Sequence, residues 1–285
     1  MKNMEPPPIA AIEAGKLSAK KIFEMFPGKA EKKFGQNFLF DEKINRKIVS
    51  AAGDLSGKTI TEVGPGPGGL TLEILKQNVK KLYVVELDPH WSNVWKQLAS
   101  SFFPQLEVLE KDALQCNFND LAQDIIISNL PYNISTALLI KWLGELTSYE
   151  KLVLMFQKEV ADRLYAAPST KSYGRLSVLA QCESRVKKVF DLEPGSFFPA
   201  PKVKSTVVEF SQQQHLNRTN NFRLLADLLA VAFTHRRKTV AKSLRNFFKD
   251  PEQILQELGY NKNVRAEEIS VEDYIYIQLR ASHIS

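Results

Sequence analysis

Asn129-Leu130-Pro131-Tyr132 follows directly on the apolar run Asp124-Ile125-Ile126-Ile127-Ser128. A buried strand predicted there stops at a turn that carries an amide, a proline-fixed backbone carbonyl and an aromatic ring. A flat base with an exocyclic amine needs those three groups at one spot. The N6 lone pair of adenine is delocalised into the ring, so attack on an electrophilic methyl requires that nitrogen to pyramidalise. The Asn129 amide oxygen and the Leu130 carbonyl would accept both N6 hydrogens and favour this geometry, while Tyr132 stacks on the base. The chemistry suggested is methyl transfer to the N6 amine of adenine, and no histidine base is demanded, because the product amine is cationic and loses its proton easily. Plain turn chemistry, with Asn starting the turn and proline ending the ladder, would also produce this tetrapeptide. Downstream, Phe197-Phe198-Pro199-Ala200-Pro201-Lys202-Val203 offers aromatics in a proline-rich loop. Phe197 is expected opposite Tyr132, sandwiching a flipped base for about 1 to 3 kcal/mol, and Phe198 is expected in the core.

A methyl donor needs its own site. Thr59-Ile60-Thr61-Glu62-Val63 runs into Gly64-Pro65-Gly66-Pro67-Gly68-Gly69 and then a helical pattern, an arrangement that lets backbone approach a nucleotide closely. The spacing satisfies G-x-G-x-x-G, which a nicotinamide or flavin dinucleotide would also use. Pro65 and Pro67 lack the N–H donors that hold a pyrophosphate. S-adenosylmethionine has no phosphate and carries a sulfonium cation, so it tolerates their absence and would be helped by a nearby carboxylate such as Glu62. Glu86 ends the next strand, where an acid can accept both ribose hydroxyls. Asp112 follows the third strand and is placed to accept from the cofactor's adenine amine. Helix caps or turns are the plainer roles for both acids.

These groups require strand ends to hold them. Strand-like segments at 59–63, 82–86, 106–110, 124–128, 151–156, 186–191 and 203–210 alternate with helical periodicity at 42–52, 70–77, 135–146 and 176–183. The alternation implies an α/β, doubly wound, Rossmann-like sheet with ligands at the carboxyl ends of its strands. Past Phe210 the composition turns to Gln212-Gln213-Gln214 and then to helical patterning, so a small C-terminal helical domain is expected from 211 to 285. The catalytic domain would occupy 34–210. Residues 1–33, opening with Pro6-Pro7-Pro8, read as a loosely ordered arm with one short helix near 19–26.

The chain has 285 residues, 44% hydrophobic and 25% charged, which is globular composition rather than disorder. A formal charge of +6 and a pI near 9.1 fit a polyanionic partner. Cys116 and Cys182 are too few for a disulfide scaffold or a thiolate zinc site, which suggests a reducing, cytoplasmic setting and no metal. No apolar run reaches membrane-span length, and the first 36 residues lack both a secretory apolar core and any arginine. Lys238, Lys242, Arg245 and Lys249 fall on one predicted helix face, with Arg236 and Arg237 at its start and Val240, Leu244 and Phe247 opposite. A solvated lysine face is the ordinary explanation. The absence of any acid from His235 to Lys249 favours contact with RNA phosphates.

The combination resembles the ribosomal RNA adenine dimethyltransferase family, whose bacterial members modify small-subunit RNA and whose relatives include antibiotic-resistance methylases and mitochondrial transcription factor B proteins. The matching blocks are Lys33-Phe34-Gly35-Gln36-Asn37-Phe38-Leu39, Glu62-Val63-Gly64-Pro65-Gly66, Glu86-Leu87-Asp88, residues 129–136 and Gln157-Lys158-Glu159-Val160. They continue with Tyr173-Gly174-Arg175-Leu176-Ser177-Val178, the 197–203 loop and Arg236-Arg237-Lys238-Thr239. The resemblance implies that Asn37 and Leu39 contact S-adenosylmethionine from a segment folding over it. It further implies two methyl transfers to each of two adjacent adenosines near the 3′ end of small-subunit RNA, within a preformed ribosomal particle; a monomer is expected. Pro89-His90-Trp91 is an unusual departure that touches no proposed catalytic group. Three other readings stand beside this one: a large-subunit RNA methylase conferring antibiotic resistance, a noncatalytic ribosome-assembly or transcription-factor-like module, and a NAD oxidoreductase.

Overall fold

The computed structural model describes residues 14–28, 30–31, 34–145, 149–212, 221–234 and 238–282. In chain order the first elements are α1 (Ala19–Met25), β1 (Phe38–Leu39), α2 (Glu42–Ala51), β2 (Thr59–Val63), α3 (Gly69–Leu75) and β3 (Lys81–Glu86). Then come α4 (Pro89–Phe102), β4 (Leu106–Glu110), β5 (Ile125–Ser128), α5 (Tyr132–Glu145), β6 (Lys151–Gln157), α6 (Lys158–Leu164) and α7 (Arg175–Glu183). The chain continues through β7 (Ser184–Leu192), β8 (Phe197–Phe198), β9 (Ser205–Gln212), α8 (Phe222–Ala232), α9 (Val240–Leu244), α10 (Pro251–Glu257) and α11 (Val271–Ser282).

Seven strands form one sheet in the order β4-β3-β2-β5-β6-β9-β7. The pairs β2–β3, β3–β4, β2–β5 and β5–β6 are parallel, with Ile60 opposite both Leu82 and Ile125. Parallel strands covered on both faces should read as continuous apolar runs, and β5 and the centre of β6 are buried at every residue. The chain winds outward from β2 to β4, then crosses back to place β5 on the other side of β2. That reversal opens a crevice beyond the carboxyl ends of β2 and β5. The doubly wound sheet expected from the alternation is therefore present, and helix starts follow their caps. Asp41 accepts from the Lys43 and Ile44 amides to begin α2, and Asp88 accepts from His90 N ahead of Pro89 at the first turn of α4.

The chain divides into two compact units, one comprising the chain up to Lys158 with Lys188–Phe210, the other Glu159–Lys187 with Ser211 onward. The change at 210/211 falls where the composition changes, but residues 159–187, expected within the catalytic domain, group with the second unit. In that unit α7, α8 and α11 pack around Tyr173, Phe233 and Tyr274. The Tyr173 hydroxyl donates to the Ile269 carbonyl at 2.9 Å and that of Tyr274 to the Ala266 carbonyl at 2.8 Å, so both phenols are satisfied although buried.

The short helix expected near 19–26 is present as α1, but the loose order expected around it does not hold from Leu17 onward. Leu17, Ala19, Ile22 and Phe26 are buried, and Leu17, Ile22 and Phe26 belong to the hydrophobic core of the first unit. Ser18 caps α1, and the spacing of Ile22 and Phe26 puts one apolar stripe against the sheet unit. Residues 1–13 lie outside the described residues.

Candidate active site and cofactor cavity

At the crevice lies a cavity of about 170 Å³, walled by residues 34–39, the turns after β2, β3 and β4, and residues 129–134. It brings together Asn37, Leu39, Gly64, Glu86, Asp112, Asn129, Leu130 and Tyr132, each of them picked out from sequence. Phe197 is not on its wall. This residue pairs with Leu39 across the short β1–β8 ladder and is 5% exposed in the core, whereas Phe198 is 54% exposed. The expected partition of the two rings is thus reversed, because in a two-residue strand only the pairing partner decides which side chain faces inward.

The glycine turn has a decisive feature. Gly64 donates its N–H to the Val85 carbonyl at 2.9 Å, Gly66 to Glu86 Oε2 at 3.3 Å and Gly68 to the Pro65 carbonyl at 2.9 Å. Pro65 and Pro67 have no N–H to give. The turn's donors through Gly68 are therefore already used or missing, which makes it a poor cradle for pyrophosphate. Its glycines are required by space and backbone conformation. Gly68 has φ +92° and a Cβ there would sit 2.0 Å from Trp95 Cζ2, while one on Gly66 (φ +49°) would sit 2.9 Å from Phe38 Cε1. Trp95 Nε1 donates to the Gly66 carbonyl at 2.7 Å and so fixes that peptide plane.

The acids are placed with equal care. Glu86 accepts from the Asp88 amide at 2.8 Å through Oε1 and from Gly66 through Oε2, which locks its carboxylate at the end of β3. Burial pushes its pKa up to about 7, against the opposing backbone hydrogen bonds. Glu62 ends β2 and accepts from Thr71 Oγ1 at 2.7 Å, and burial, opposed by the Thr71 hydrogen bond and reinforced by the charge of Glu86, pushes it up to about 8. Asp112 performs the plainer role foreseen for it, accepting from Leu114 N at 2.9 Å at the start of a single 3-10 turn, while still lining the cavity. Three carboxyl groups and few free donors suit a ligand with a sulfonium, a ribose diol and an exocyclic amine. They suit a phosphate badly.

On the opposite wall, Ser128 Oγ donates to the Val63 carbonyl at 2.6 Å, tying the ends of β5 and β2. Asn129 Nδ2 donates to the Asn37 carbonyl at 3.0 Å. A carbonyl can be met only by the NH₂ of an amide, so the orientation of Asn129 is fixed and its oxygen is the atom left to accept. The α5 ladder begins at the Pro131 carbonyl, which accepts from Ile134 and Ser135, each at 3.1 Å, one residue beyond the Leu130 carbonyl. Tyr132 is partly buried, with its hydroxyl 2.5 Å from Ser205 Oγ, and burial raises its pKa.

The model of the ribosomal RNA adenine dimethylase family matches residues 28–282, nearly the whole chain. The chain belongs to the ribosomal RNA adenine dimethylase family. A ribosomal RNA small subunit methyltransferase A from Cereibacter sphaeroides is 39% identical over 88% of this chain and 92% of its own length, and one from Wolbachia pipientis wMel is 40% identical over 86% and 87%. A crystal structure of a dimethyladenosine transferase from Plasmodium falciparum superposes with TM-score 0.75 at 27% identity, covering 86% of this chain and 98% of that one. The 23S rRNA methyltransferase ErmE shares the fold, with TM-score 0.64 at 22% identity over 86% of this chain and all of that one. This dimethylase accordingly uses S-adenosylmethionine and acts on ribosomal RNA.

Sequence reasoning missed three features of this adenine dimethylase. Trp91 and Trp95, one turn apart on α4, are both fully buried behind the cavity wall, Trp95 on Gly66 and Trp91 on Phe38 at 5.7 Å between ring centroids. The i, i+4 spacing was a signal, but nothing in the sequence named the partners. Gln36 bridges the Glu31 amide and Asp88, both at 2.9 Å. The third miss concerns the basic segment. Lys238, Lys242, Arg245 and Lys249 are all exposed, yet α9 ends at Leu244, so no single helix carries them. Phe248, rather than Phe247, is the buried aromatic there, and Arg245 has Glu252 at 4.0 Å. Arg236 and Arg237 lie outside the described residues.

Proposed function

We propose that this dimethylase transfers two methyl groups from S-adenosylmethionine to each of two adjacent adenosines near the 3′ end of small-subunit ribosomal RNA. Its substrate is a preformed small-subunit particle, the enzyme acts as a cytoplasmic monomer, and the modification accompanies small-subunit biogenesis. The observation that carries the catalytic part is the Asn129 amide. With its nitrogen engaged by Asn37, its oxygen is the acceptor for one N6 hydrogen, and the Leu130 carbonyl takes the other.

Two acceptors aimed at the amine favour a pyramidal nitrogen and stabilise the positive charge that develops as the new C–N bond forms. Tyr132 stacks on the base, its hydroxyl anchored to Ser205 so that the ring is held in place. S-adenosylmethionine, when bound, would supply the electrophilic methyl, its S–CH3 bond breaking to release S-adenosylhomocysteine. Glu86 would hold the ribose, Asp112 the adenine amine, and Asn37 and Leu39 would close over the cofactor from the segment before α2. Glu62 in its ionised form favours a sulfonium over a neutral thioether. The exposed cations Lys238, Lys242, Arg245 and Lys249, with Arg236 and Arg237, make the phosphate contacts that bring RNA to the site.

The small-subunit target is supported by the names of the relatives near 40% identity, whereas the ErmE likeness, at 22%, speaks to fold alone. Labelled methyl transfer to undermethylated small subunits, compared with large subunits and followed by nucleoside analysis, tests the reading. Dimethyladenosine confined to small-subunit RNA is expected. Label in large-subunit RNA instead would overturn the assignment of target.

A further inference from the structure

We propose that residues 17–26 form a latch that holds the cofactor-binding segment 34–39 shut, with Phe23 and His90 as positioning residues for S-adenosylmethionine. The proposal rests on the identification of the cavity as the cofactor site and on no property of the RNA.

Segment 34–39 is one wall of the cavity, and behind that wall stands α1. The Phe23 ring lies 5.8 Å from Phe38, 5.5 Å from Phe40, 6.1 Å from Trp91 in a stacked arrangement and 6.0 Å from Phe198. Phe38 in turn is the ring seated against Gly66. One aromatic side chain of α1 therefore reaches the glycine turn through a single intermediary. The rest of the connection is polar. His90 Nε2 donates to the Phe26 carbonyl at 3.2 Å, and His90 packs edge-on against Trp91 at 4.8 Å. Gly28 lies so close to both that an added Cβ would stand 3.1 Å from each. Gln36 then ties the wall to Asp88, whose amide donates to Glu86.

A seven-residue helix is not stable by itself in water. Its order comes from these contacts, and coupling of this kind is reciprocal: what the wall does for α1, α1 does for the wall. Releasing α1 would loosen Phe38 and with it the wall that segment 34–39 forms against the glycine turn. Pro89-His90-Trp91, the stretch singled out as unusual in sequence, is the surface on which the latch closes.

The test is binding of S-adenosylhomocysteine to the full-length protein by calorimetry and stopped-flow, with methyl transfer measured in parallel. Phe23→Ala should raise Kd about tenfold through a faster off-rate, raise the KM for S-adenosylmethionine to match, and leave kcat at saturating cofactor within about twofold. His90→Ala, which removes one hydrogen bond and little core, should raise Kd about threefold, and Phe23→Leu should restore most of the affinity. If Phe23→Ala fails to fold, His90→Ala decides. Folded variants with unchanged Kd and off-rate would overturn the latch, as would lost methyl transfer at unchanged cofactor affinity, which would assign the segment to RNA instead.

Discussion

The strand-end turns of the first unit and the basic segment 238–249 of the second are both read as binding surfaces, but they are built on opposite principles. In the turns, the polar groups that shape the cavity are buried or partly buried and already bonded: Glu86 to two amides, Glu62 to Thr71, the Gly66 carbonyl to Trp95 and the Asn129 nitrogen to Asn37. In the basic segment the cations stand exposed, and Arg245 has one acid at 4.0 Å. Fixed, desolvated groups are selective in geometry and intolerant of change. Exposed charges are additive, tolerant and sensitive to salt. Substitutions in the two regions should therefore differ in kind as well as in size.

The largest effect belongs to Asn129→Ala. With the acceptor gone, kcat should fall by about 100-fold or more while the Kd of S-adenosylhomocysteine stays within a few-fold. Single-turnover methyl transfer with calorimetry separates the two, and normal turnover would remove Asn129 from the mechanism. Trp95→Phe comes next. It leaves the Gly66 carbonyl buried without its donor, at a cost of about 1 to 3 kcal/mol, which should appear as a lower Tm and weaker cofactor binding. Equal stability and affinity would mean that the indole N–H has no positioning role.

The buried acids give a prediction in pH. Both are raised above the ordinary carboxyl value of 4.5, to about 8 for Glu62 and about 7 for Glu86, so between those limits the folded protein binds more protons than the unfolded chain. Their contribution to stability is complete below about 4.5 and declines as pH rises through 7 and 8. A cation in the cavity favours the ionised forms. S-adenosylmethionine affinity should rise from pH 6 to 8 with proton release, more steeply than that of S-adenosylhomocysteine, and Glu62→Gln should narrow the gap. Parallel pH profiles for the two ligands in the wild-type protein would show that Glu62 does not distinguish them.

The smallest effects belong to the exposed cations. Lys242→Glu and Arg245→Glu should each weaken RNA binding modestly and flatten the plot of log affinity against log salt, by roughly one unit per neutralised contact. Filter binding over a salt series measures it. An unchanged slope would show that the segment does not touch phosphate.

Much of the sheet could be read beforehand because its strands are apolar runs ended by turn residues, and the ends of β2, β3, β4 and β5 each delivered a wall of the cavity. Glu86, Gly64 and Asn129 were legible for that reason, since a parallel sheet sends its strand ends to one side. The basic segment was misread by carrying one helical period too far. Asp250-Pro251 lies beyond Lys249 and marks the start of α10, which Asp250 caps, so it gave no sign of the stop at Leu244. The Phe197–Phe198 exchange had no signal either, as two residues have no period. The role of α1 was invisible for another reason: Ser18, Ile22 and Phe26 announce a helix, but its docking surface is Trp91, far along the chain.

The sheet order also has a consequence for synthesis on the ribosome. Strand β6 is flanked by β5 on one side and β9 on the other, yet β9 is not complete until residue 212. While the intervening stretch that contributes to the second unit is being made, β6 presents an open edge whose central five residues are buried in the finished protein. An apolar strand with a bare edge is a template for wrong pairing. The nascent chain therefore carries that open edge between the emergence of β6 and the arrival of β9, and translation pauses in that window should lower the yield of folded enzyme.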